Sequence, residues 1–189
     1  MDQLDLTKSL LNLSSPCLGC ISPKCESFCR SGIPYKTINM LIKEGKIKEA
    51  SELLYDFNPF PELTLALCDC SSGAKGNCIK RKINEPIDTK EIERLLSSCP
   101  FPYINPIKNN KKVAIIGSGP AGCSLAYQLI KKGYEVTIFE KNKQIGGAIF
   151  NYIPRFRFDM SILDLVKSKL DKLGVKFVFS YYCDKDKLD

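Results

Sequence analysis

Apolar residues recur at helical spacing in the first half of the chain and in short strand-like runs in the second. Leu6, Leu10 and Leu13 predict a short amphipathic helix within residues 2–13. Two further helices are predicted after residue 35, with Gly45 between them as a C-terminal cap. Their apolar stripes are Ile38, Leu41 and Ile42, then Ala50, Leu53, Leu54 and Phe57. A proline-rich helix break over residues 58–63 follows, and residues 88–96 predict another helix, capped by Asp88 or Thr89.

The second half opens on a strand, a glycine turn, a helix and a second strand. Residues 113–116 form a short apolar run that is typical of a strand buried on both faces. Gly117, Gly119 and Gly122 follow it as G-x-G-x-x-G, and Glu140 ends the second strand. In this pattern the first glycine makes the tight turn, the second admits a pyrophosphate and the third lets the helix pack closely. The residues therefore predict an adenine dinucleotide site, with the ribose at Glu140, but do not separate FAD from NAD.

A third strand extends this pattern. After Gly146 and Gly147, residues 161–173 predict a helix and residues 175–179 a strand. A doubly wound domain needs more strands to close its nucleotide site, so we expect the chain to be a fragment. The predicted fold class is α + α/β, a helical domain over residues 1–104 followed by a partial Rossmann-like βαβ domain over 113–189. Residues 105–112 are the predicted linker.

Composition narrows the chemistry. The chain has no histidine, which excludes imidazole catalysis and imidazole metal ligands, and no stretch typical of a signal peptide or a membrane span. We therefore expect a cytoplasmic protein without a membrane partner. The net charge of +7 is spread over lysines, which favours a solvated surface over nucleic-acid binding. Seven of the ten cysteines lie within residues 17–78, and thiols clustered in a reducing compartment indicate a metal site.

The first cysteine group has a spacing of its own. Cys17, Cys20, Cys25 and Cys29 follow one another as C-x2-C-x4-C-x3-C. Four soft thiolates this close indicate a thiophilic centre, and a ferredoxin run has nearly this form. Zinc is the alternative, but paired CxxC motifs are more typical of zinc and only one is present here. A second group, Cys68, Cys70 and Cys78, follows the helices.

The order of these motifs resembles one family. The cysteine region, NPFPE, the later cysteines, VAIIGSGPAG, the two glycines and IPRFR are similar to those of FAD- and iron–sulfur-dependent NAD(P)H oxidoreductases of the glutamate synthase small (beta) subunit type. Relatives include the N-terminal part of dihydropyrimidine dehydrogenase and the large subunit of NADH-dependent ferredoxin:NADP oxidoreductase. The resemblance covers residues 17–179. It implies a helical domain with two [4Fe–4S] clusters, an FAD domain, and an NADPH domain inserted further along.

The resemblance also implies cluster ligands. The first cluster takes Cys17, Cys20, Cys25 and Cys78. The second takes Cys29, Cys68, a cysteine four residues before Cys78, and a non-cysteine ligand whose closest match is Glu93. The position four before Cys78 is Ala74, so either Cys70 substitutes for the missing cysteine or the second cluster is altered or absent.

The same resemblance implies the FAD site. The pyrophosphate lies at Gly117, Gly119, Pro120, Ala121 and Gly122, the adenosine ribose at Glu140, and the cofactor runs along Gly146 and Gly147. Cys123 is predicted to have a packing role, and Cys99 and Cys183 to be free thiols.

The expected function is an electron-transfer module. Electrons pass from NAD(P)H through FAD to [4Fe–4S] clusters and then to a partner subunit or domain, such as a glutamate synthase large subunit, without a catalytic side chain. Three alternatives stay open. One is a non-catalytic, truncated electron-relay or adaptor fragment. Another is part of a dihydropyrimidine dehydrogenase-like or ferredoxin:NADP oxidoreductase-like enzyme. The third is a zinc-stabilised nucleotide-binding module.

Overall fold

The protein consists of two compact units that divide after Pro102. The computed structural model describes residues 2–69, 71–102 and 104–184. The first unit is helical and the second contains a parallel sheet with helices, as the fold class predicted. The finer bounds of 1–104, 105–112 and 113–189 stay a prediction.

Six α-helices lie in the described part of the first unit. They are α1 (Gln3–Ser14), α2 (Lys24–Ser27), α3 (Tyr35–Lys43), α4 (Ile47–Phe57), α5 (Pro61–Leu67) and α6 (Thr89–Ser97), and two short 3-10 helices, Lys75–Asn77 and Ile79–Ile83, lie between α5 and α6. Asp2 caps α1 by accepting a hydrogen bond from the Asp5 N–H, and Asp88 caps α6 by accepting one from the Glu91 N–H. Of the two predicted caps of α6, Asp88 is therefore the one that forms.

The helix α5 was not predicted. Residues 58–63 were expected to break the helical pattern, but Pro61 instead begins a new helix of seven residues. Proline is well tolerated in the first turn of a helix, because its missing N–H has no intrahelical acceptor there. The break is confined to the residues before Pro61.

The cysteine loops pack on the core of the first unit. Leu10, Ile42, Leu54 and Ile92 are fully buried members of this core. The partly buried Cys17, Cys25, Cys29 and Cys78 pack against it. The amphipathic helices thus form the packed core that supports the loops in which most of the candidate ligands lie.

Over residues 104–184, the second unit is a three-stranded parallel sheet with helices. Its elements are β1 (Lys112–Ile116), α7 (Pro120–Lys131), β2 (Glu135–Phe139), α8 (Ala148–Tyr152), α9 (Ser161–Lys172) and β3 (Lys176–Val178). The strand order is β1-β2-β3, with Ile115 opposite Ile138 and Ile138 opposite Phe177. The βαβ pattern confirms the predicted partial Rossmann-like fold. In the ranges that are described, no helix of either unit is both long and apolar enough to cross a membrane.

One face of this sheet is open in the described part of the chain. Ile115, Val136 and Ile138 are buried, whereas Ala114 is exposed and Ile116 is 54% exposed. Both α7 and α9 lie on the buried side, since α7 packs on β1, β2 and α9. The prediction that β1 is buried on both faces is therefore wrong. Its apolar run is typical of a strand buried on both faces, but in the described residues the helices cover only one face of the sheet.

Candidate functional site

Four cysteines line one cavity of about 390 Å³ in the first unit. They are Cys17, Cys20, Cys25 and Cys78, the set that the resemblance assigns to the first cluster. Cys17 follows α1 and donates its N–H to the Ser14 carbonyl, Cys25 lies in α2, and Cys78 lies between the two 3-10 helices. None of the nine described cysteines forms a disulfide. Folding therefore brings together thiols that lie far apart in sequence.

Cys25 is partly buried among other ionisable groups at this cavity. Burial, together with the charges of Glu26, Cys78 and Cys17, raises the pKa of the Cys25 thiol to about 11. A bound cation reverses this effect, because a thiol that coordinates a metal is deprotonated. Four soft ligands around one partly buried cavity fit an iron–sulfur cluster, which is wide enough to keep its thiolates apart.

The predicted second set gathers in part around Tyr35. The Tyr35 hydroxyl donates a hydrogen bond to the buried Glu93 carboxylate, and Cys29 lies beside the same hydroxyl. Burial raises the pKa of Glu93, and hydrogen bonds from Tyr35 and Asn58 act against that rise. Burial, followed by the charges of Glu93 and Cys29, also raises the pKa of Tyr35. Glu93 thus already has two protein partners.

The remaining members of that set lie elsewhere. Cys68 is exposed and lines a different cavity, with Asp69 and Lys75, which neither Cys29 nor Glu93 lines. Ala74 is buried in the hydrophobic core, and Cys70 lies outside the described residues. Among the described residues, no three His, Cys, Asp or Glu side chains of either set are placed to hold a single metal ion, so the sets differ in the cavities that they line and not in this respect. The described members of the second set do not line one cavity, and a second cluster stays a prediction.

Removing the Tyr35 hydroxyl is expected to destabilise the helical unit. Tyr35→Phe leaves the buried Glu93 carboxylate without one of its donors, so we expect a loss of about 2 kcal/mol in the free energy of unfolding. Urea denaturation of the two proteins measures this. Tyr152→Phe, at an exposed site in the second unit, is the control and should leave stability unchanged. Equal stability of Tyr35→Phe and the parent would contradict the buried hydrogen bond.

The glycine turn has the geometry that its sequence predicts. Gly117 has φ +96°, a backbone conformation that other residues rarely adopt. A Cβ on Gly122 would lie 2.1 Å from the Gly117 carbonyl oxygen and 3.4 Å from Cγ2 of Ile115. Gly122 thus lets α7 approach both the turn and β1, whereas binding of a pyrophosphate at these glycines stays a prediction.

The loop with two glycines packs on this turn. The Gly146 N–H donates to the Ser118 carbonyl at 3.0 Å. A Cβ on Gly147 would lie 2.9 Å from the Gly119 Cα, and both Gly146 and Gly147 have positive φ. The pair therefore has a defined place against the first turn of α7, which begins at Pro120 and Ala121. The N–H groups of such a turn and the helix dipole favour an anion.

Glu140 is buried beside the turn with most of its acceptor capacity in use. Its Oε2 accepts from the Ser118 N–H at 2.8 Å and the Ser118 hydroxyl at 2.6 Å, and its Oε1 accepts from the Asn142 N–H at 2.8 Å. Burial acts to raise the pKa of Glu140, but these hydrogen bonds hold it below its ordinary value. A carboxylate has about four acceptor sites, so roughly one remains for a ribose hydroxyl.

The hydrogen bonds of Glu140 should make stability depend on pH. Because the folded-state pKa lies below the ordinary 4.5, the carboxylate stabilises the fold above that pH, and the contribution is lost as the pH falls. Glu140→Gln should therefore cost about 2 kcal/mol at neutral pH and progressively less in acid. Urea denaturation over a pH series measures this, with Glu135→Gln at an exposed position of β2 as the control. If the loss of stability in Glu140→Gln did not change with pH, it would not arise from the ionised Glu140 carboxylate.

Sequence reasoning missed the partners of these sites. Ser118, the second residue of the glycine motif, donates hydrogen bonds to Glu140. Its polar side chain within the turn could have indicated such a partner. Tyr35 and Asn58 had no such signal, because their links to Glu93 depend on how α3 and the end of α4 lie against α6. Cys123 is buried and donates to the Ser118 carbonyl, and its pKa is raised to about 12, chiefly by burial, which fits a packing role.

Two family models match the chain. Residues 4–100 match dihydropyrimidine dehydrogenase domain II, 4Fe-4S cluster, and residues 115–164 match an NAD(P)-binding Rossmann-like domain. The first model alone covers about half of the chain. The two matches follow the boundary between the helical unit and the sheet unit.

Curated relatives match both units together. The glutamate synthase [NADPH] small chain of Bacillus subtilis (strain 168) is 34% identical over 177 residues, covering 86% of this chain and 36% of that protein. The same protein of Mycobacterium tuberculosis (strain ATCC 25618 / H37Rv) is 31% identical, covering 90% and 36%. The NAD-dependent dihydropyrimidine dehydrogenase subunit PreT of Escherichia coli (strain K12) is 31% identical, covering 86% and 40%. The chain thus spans little more than a third of the length of these relatives.

A solved structure of a 2-naphthoyl-CoA reductase complex is also similar. It has 23% sequence identity and a TM-score of 0.41, and the match covers 85% of this chain and 22% of that one. A likeness at this level adds nothing to the assignment of the fold or the site.

Proposed function

The chain belongs to the family described as dihydropyrimidine dehydrogenase domain II, 4Fe-4S cluster. We therefore propose that it carries electrons from NAD(P)H through FAD to a [4Fe–4S] cluster and on to a partner. The family and the second domain make it an iron–sulfur, NAD(P)-binding oxidoreductase module for electron transfer. The flavin, the electron path and the partner are the proposal.

One observation carries this proposal. Cys17, Cys20, Cys25 and Cys78 line a single cavity, and the three that precede residue 30 reach the fourth only through folding. Metal thiolate sites need such convergence, whereas cysteines with separate packing roles do not. The single cavity supports one cluster at these four residues. The described part of the second set supports no second one.

The chain's own residues hold and orient the cofactors. When bound, FAD converts a two-electron hydride transfer into the single-electron steps that an iron–sulfur cluster accepts. Gly117, Gly119 and Gly122 would admit the pyrophosphate at the start of α7, and Glu140 would accept a hydrogen bond from the ribose. The helical core packs against the cysteine loops, and the partial burial of their thiols would influence the potential of a bound cluster.

The relatives suggest the class of electron partner. Those named small chain and subunit are parts of larger enzymes, so we propose that electrons leave this chain for a second subunit or domain. Reduction of a glutamate synthase large subunit is the first choice, and a pyrimidine-reducing partner is the second. Both names belong to proteins that are longer than this chain.

Cofactor counting tests the proposal. After anaerobic reconstitution with iron, sulfide and FAD, we expect about four iron atoms, about four sulfides and one FAD per chain. EPR and optical spectra would then follow reduction by NADPH and by dithionite. Zinc without acid-labile sulfide would contradict the cluster. Bound FAD and a cluster that NADPH does not reduce would favour a relay fragment instead.

A further inference from the structure

The cavity of the four cysteines has a strongly one-sided charge. Among its described lining residues are five cationic side chains and no carboxylate. The cations are Lys24, Lys36, Lys80, Arg81 and Lys82. The sequence predicted positive charge spread over the whole surface, whereas around this cavity the charge is concentrated. Folding concentrates positive charge around the candidate redox centre.

The carboxylates nearest in sequence already have partners. Glu26 accepts a hydrogen bond from the Lys36 N–H at 2.7 Å, and Glu85 pairs with Lys80 at 3.0 Å. In the described part of the chain, Lys24 and Lys82 have no ion-pair partner, and both are exposed. Their charge is therefore directed to solvent rather than compensated within the unit.

Exposed aliphatic side chains accompany these cations. Leu18 is 69% exposed and Ile79 is 54% exposed, and both line the cavity. Ile21, next to Cys20, is 100% exposed, and Ile83 beside Lys82 is 63% exposed. Apolar groups grouped within a charged border are typical of a protein–protein interface. Nucleic-acid surfaces instead interleave cations with aromatic rings, and these four apolar residues are all aliphatic.

We propose that this basic rim is the docking surface for an acidic electron-carrier protein. The basic rim consists of Leu18, Ile21, Lys24, Ile79, Arg81 and Lys82. The proposal rests on the proposed function, since it needs a cluster at the four cysteines. One electron would leave the reduced cluster and enter the oxidised centre of the carrier, and no bond or proton would change place. Lys24, Arg81 and Lys82 line the cavity and are also exposed, so their charge is available to a partner protein as well as to the cluster.

Stopped-flow electron transfer with two haem proteins of opposite charge tests the docking surface. The reconstituted 189-residue chain, reduced with stoichiometric dithionite, is mixed with oxidised cytochrome b5, which is acidic, or with oxidised cytochrome c, which is basic. The rim variant carries Lys24→Glu and Lys82→Glu. At low ionic strength we expect it to reduce cytochrome b5 about tenfold more slowly than the parent and cytochrome c faster. High salt should remove both differences.

A matched variant controls for net charge. Lys8→Glu with Lys48→Glu makes the same change in net charge at exposed positions that do not line the cavity. It should change either rate by less than about twofold. Equal effects of the rim and control variants would overturn the proposal. So would tight binding of a single-stranded oligonucleotide that the rim variant abolishes while the cytochrome b5 rate stays the same.

Iron and sulfide content separates this proposal from the proposed function. A parent protein without a cluster contradicts the proposed function, whatever the rim does. If the parent protein holds a cluster but the rates of cytochrome reduction do not change when Lys24 and Lys82 are replaced, only the docking surface is contradicted. If the rim variant loses its cluster, Lys24→Gln with Lys82→Gln replaces it. We then expect about a threefold slower reduction of cytochrome b5, and an unchanged rate overturns the docking surface.

Discussion

Replacement of Cys20 by alanine should remove nearly all iron from the protein. Cys20 is one of the four thiols around the cavity, and a cluster bound by three of them is expected to be lost on purification. Because ligand binding and folding are coupled at metal sites, the helical unit should also lose stability. We expect iron to fall from about four atoms per chain to less than one. Thermal unfolding should begin at a lower temperature.

Iron analysis, the visible spectrum and a circular dichroism melt measure these effects. Cys183→Ala is the matched control, because Cys183 lies in the second unit and was predicted to be a free thiol. It should keep the full iron content and the parent melting curve. Unchanged iron in Cys20→Ala would show that the ligand set is wrong. The same iron loss in both variants would point to general damage instead.

Gly122→Ala should disrupt the sheet unit. The new Cβ would lie 2.1 Å from the Gly117 carbonyl oxygen, a backbone atom that cannot move without shifting the turn. Either α7 moves away from β1 or the turn opens, and we expect a cost of about 3 kcal/mol or more. Since the predicted pyrophosphate position lies at this turn, FAD binding should be lost as well.

Gly174→Ala is the control that introduces backbone strain without the steric overlap expected in Gly122→Ala. Gly174 has φ +85°, but a Cβ there would meet no atom within 4 Å. Its alanine variant should cost only about 1 kcal/mol and keep FAD binding. Urea denaturation and fluorescence titration with FAD compare the two proteins. If Gly122→Ala were as stable as Gly174→Ala and bound FAD equally, the close approach of α7 would have no energetic role.

Local patterns were enough to predict much of the fold. The helices α3 and α4 follow from their apolar stripes, and the positive φ of Gly45 and Gly117 follows from what glycine alone adopts readily. The parallel register of β1 and β2 follows from the βαβ order. For the helices and the glycines the decisive interactions lie between residues close in sequence, where periodicity is informative.

Features that depend on distant packing were not predicted. The apolar run of β1 was interpreted as burial on both faces, although α7 and α9 share one side. The link between Tyr35 and Glu93 joins residues 58 positions apart. The cations around the cysteine cavity come from three separate segments, so their concentration is invisible in a chain whose lysines look evenly spread. The placement of Ala74 in the core likewise emerges only from the fold.

The cysteine cavity has a mechanical consequence for the helical unit. Cys78 lies 53 positions after Cys25, and both line the same cavity. A group bound to both thiols would therefore act as a crosslink that closes a loop of about half of the unit. On the scale measured for disulfides, closing a loop of that length stabilises a fold by about 4 kcal/mol. Oxygen, which destroys iron–sulfur clusters, would then open this crosslink and make the unit more sensitive to proteases. The lifetime of the protein would depend on the redox state of its surroundings.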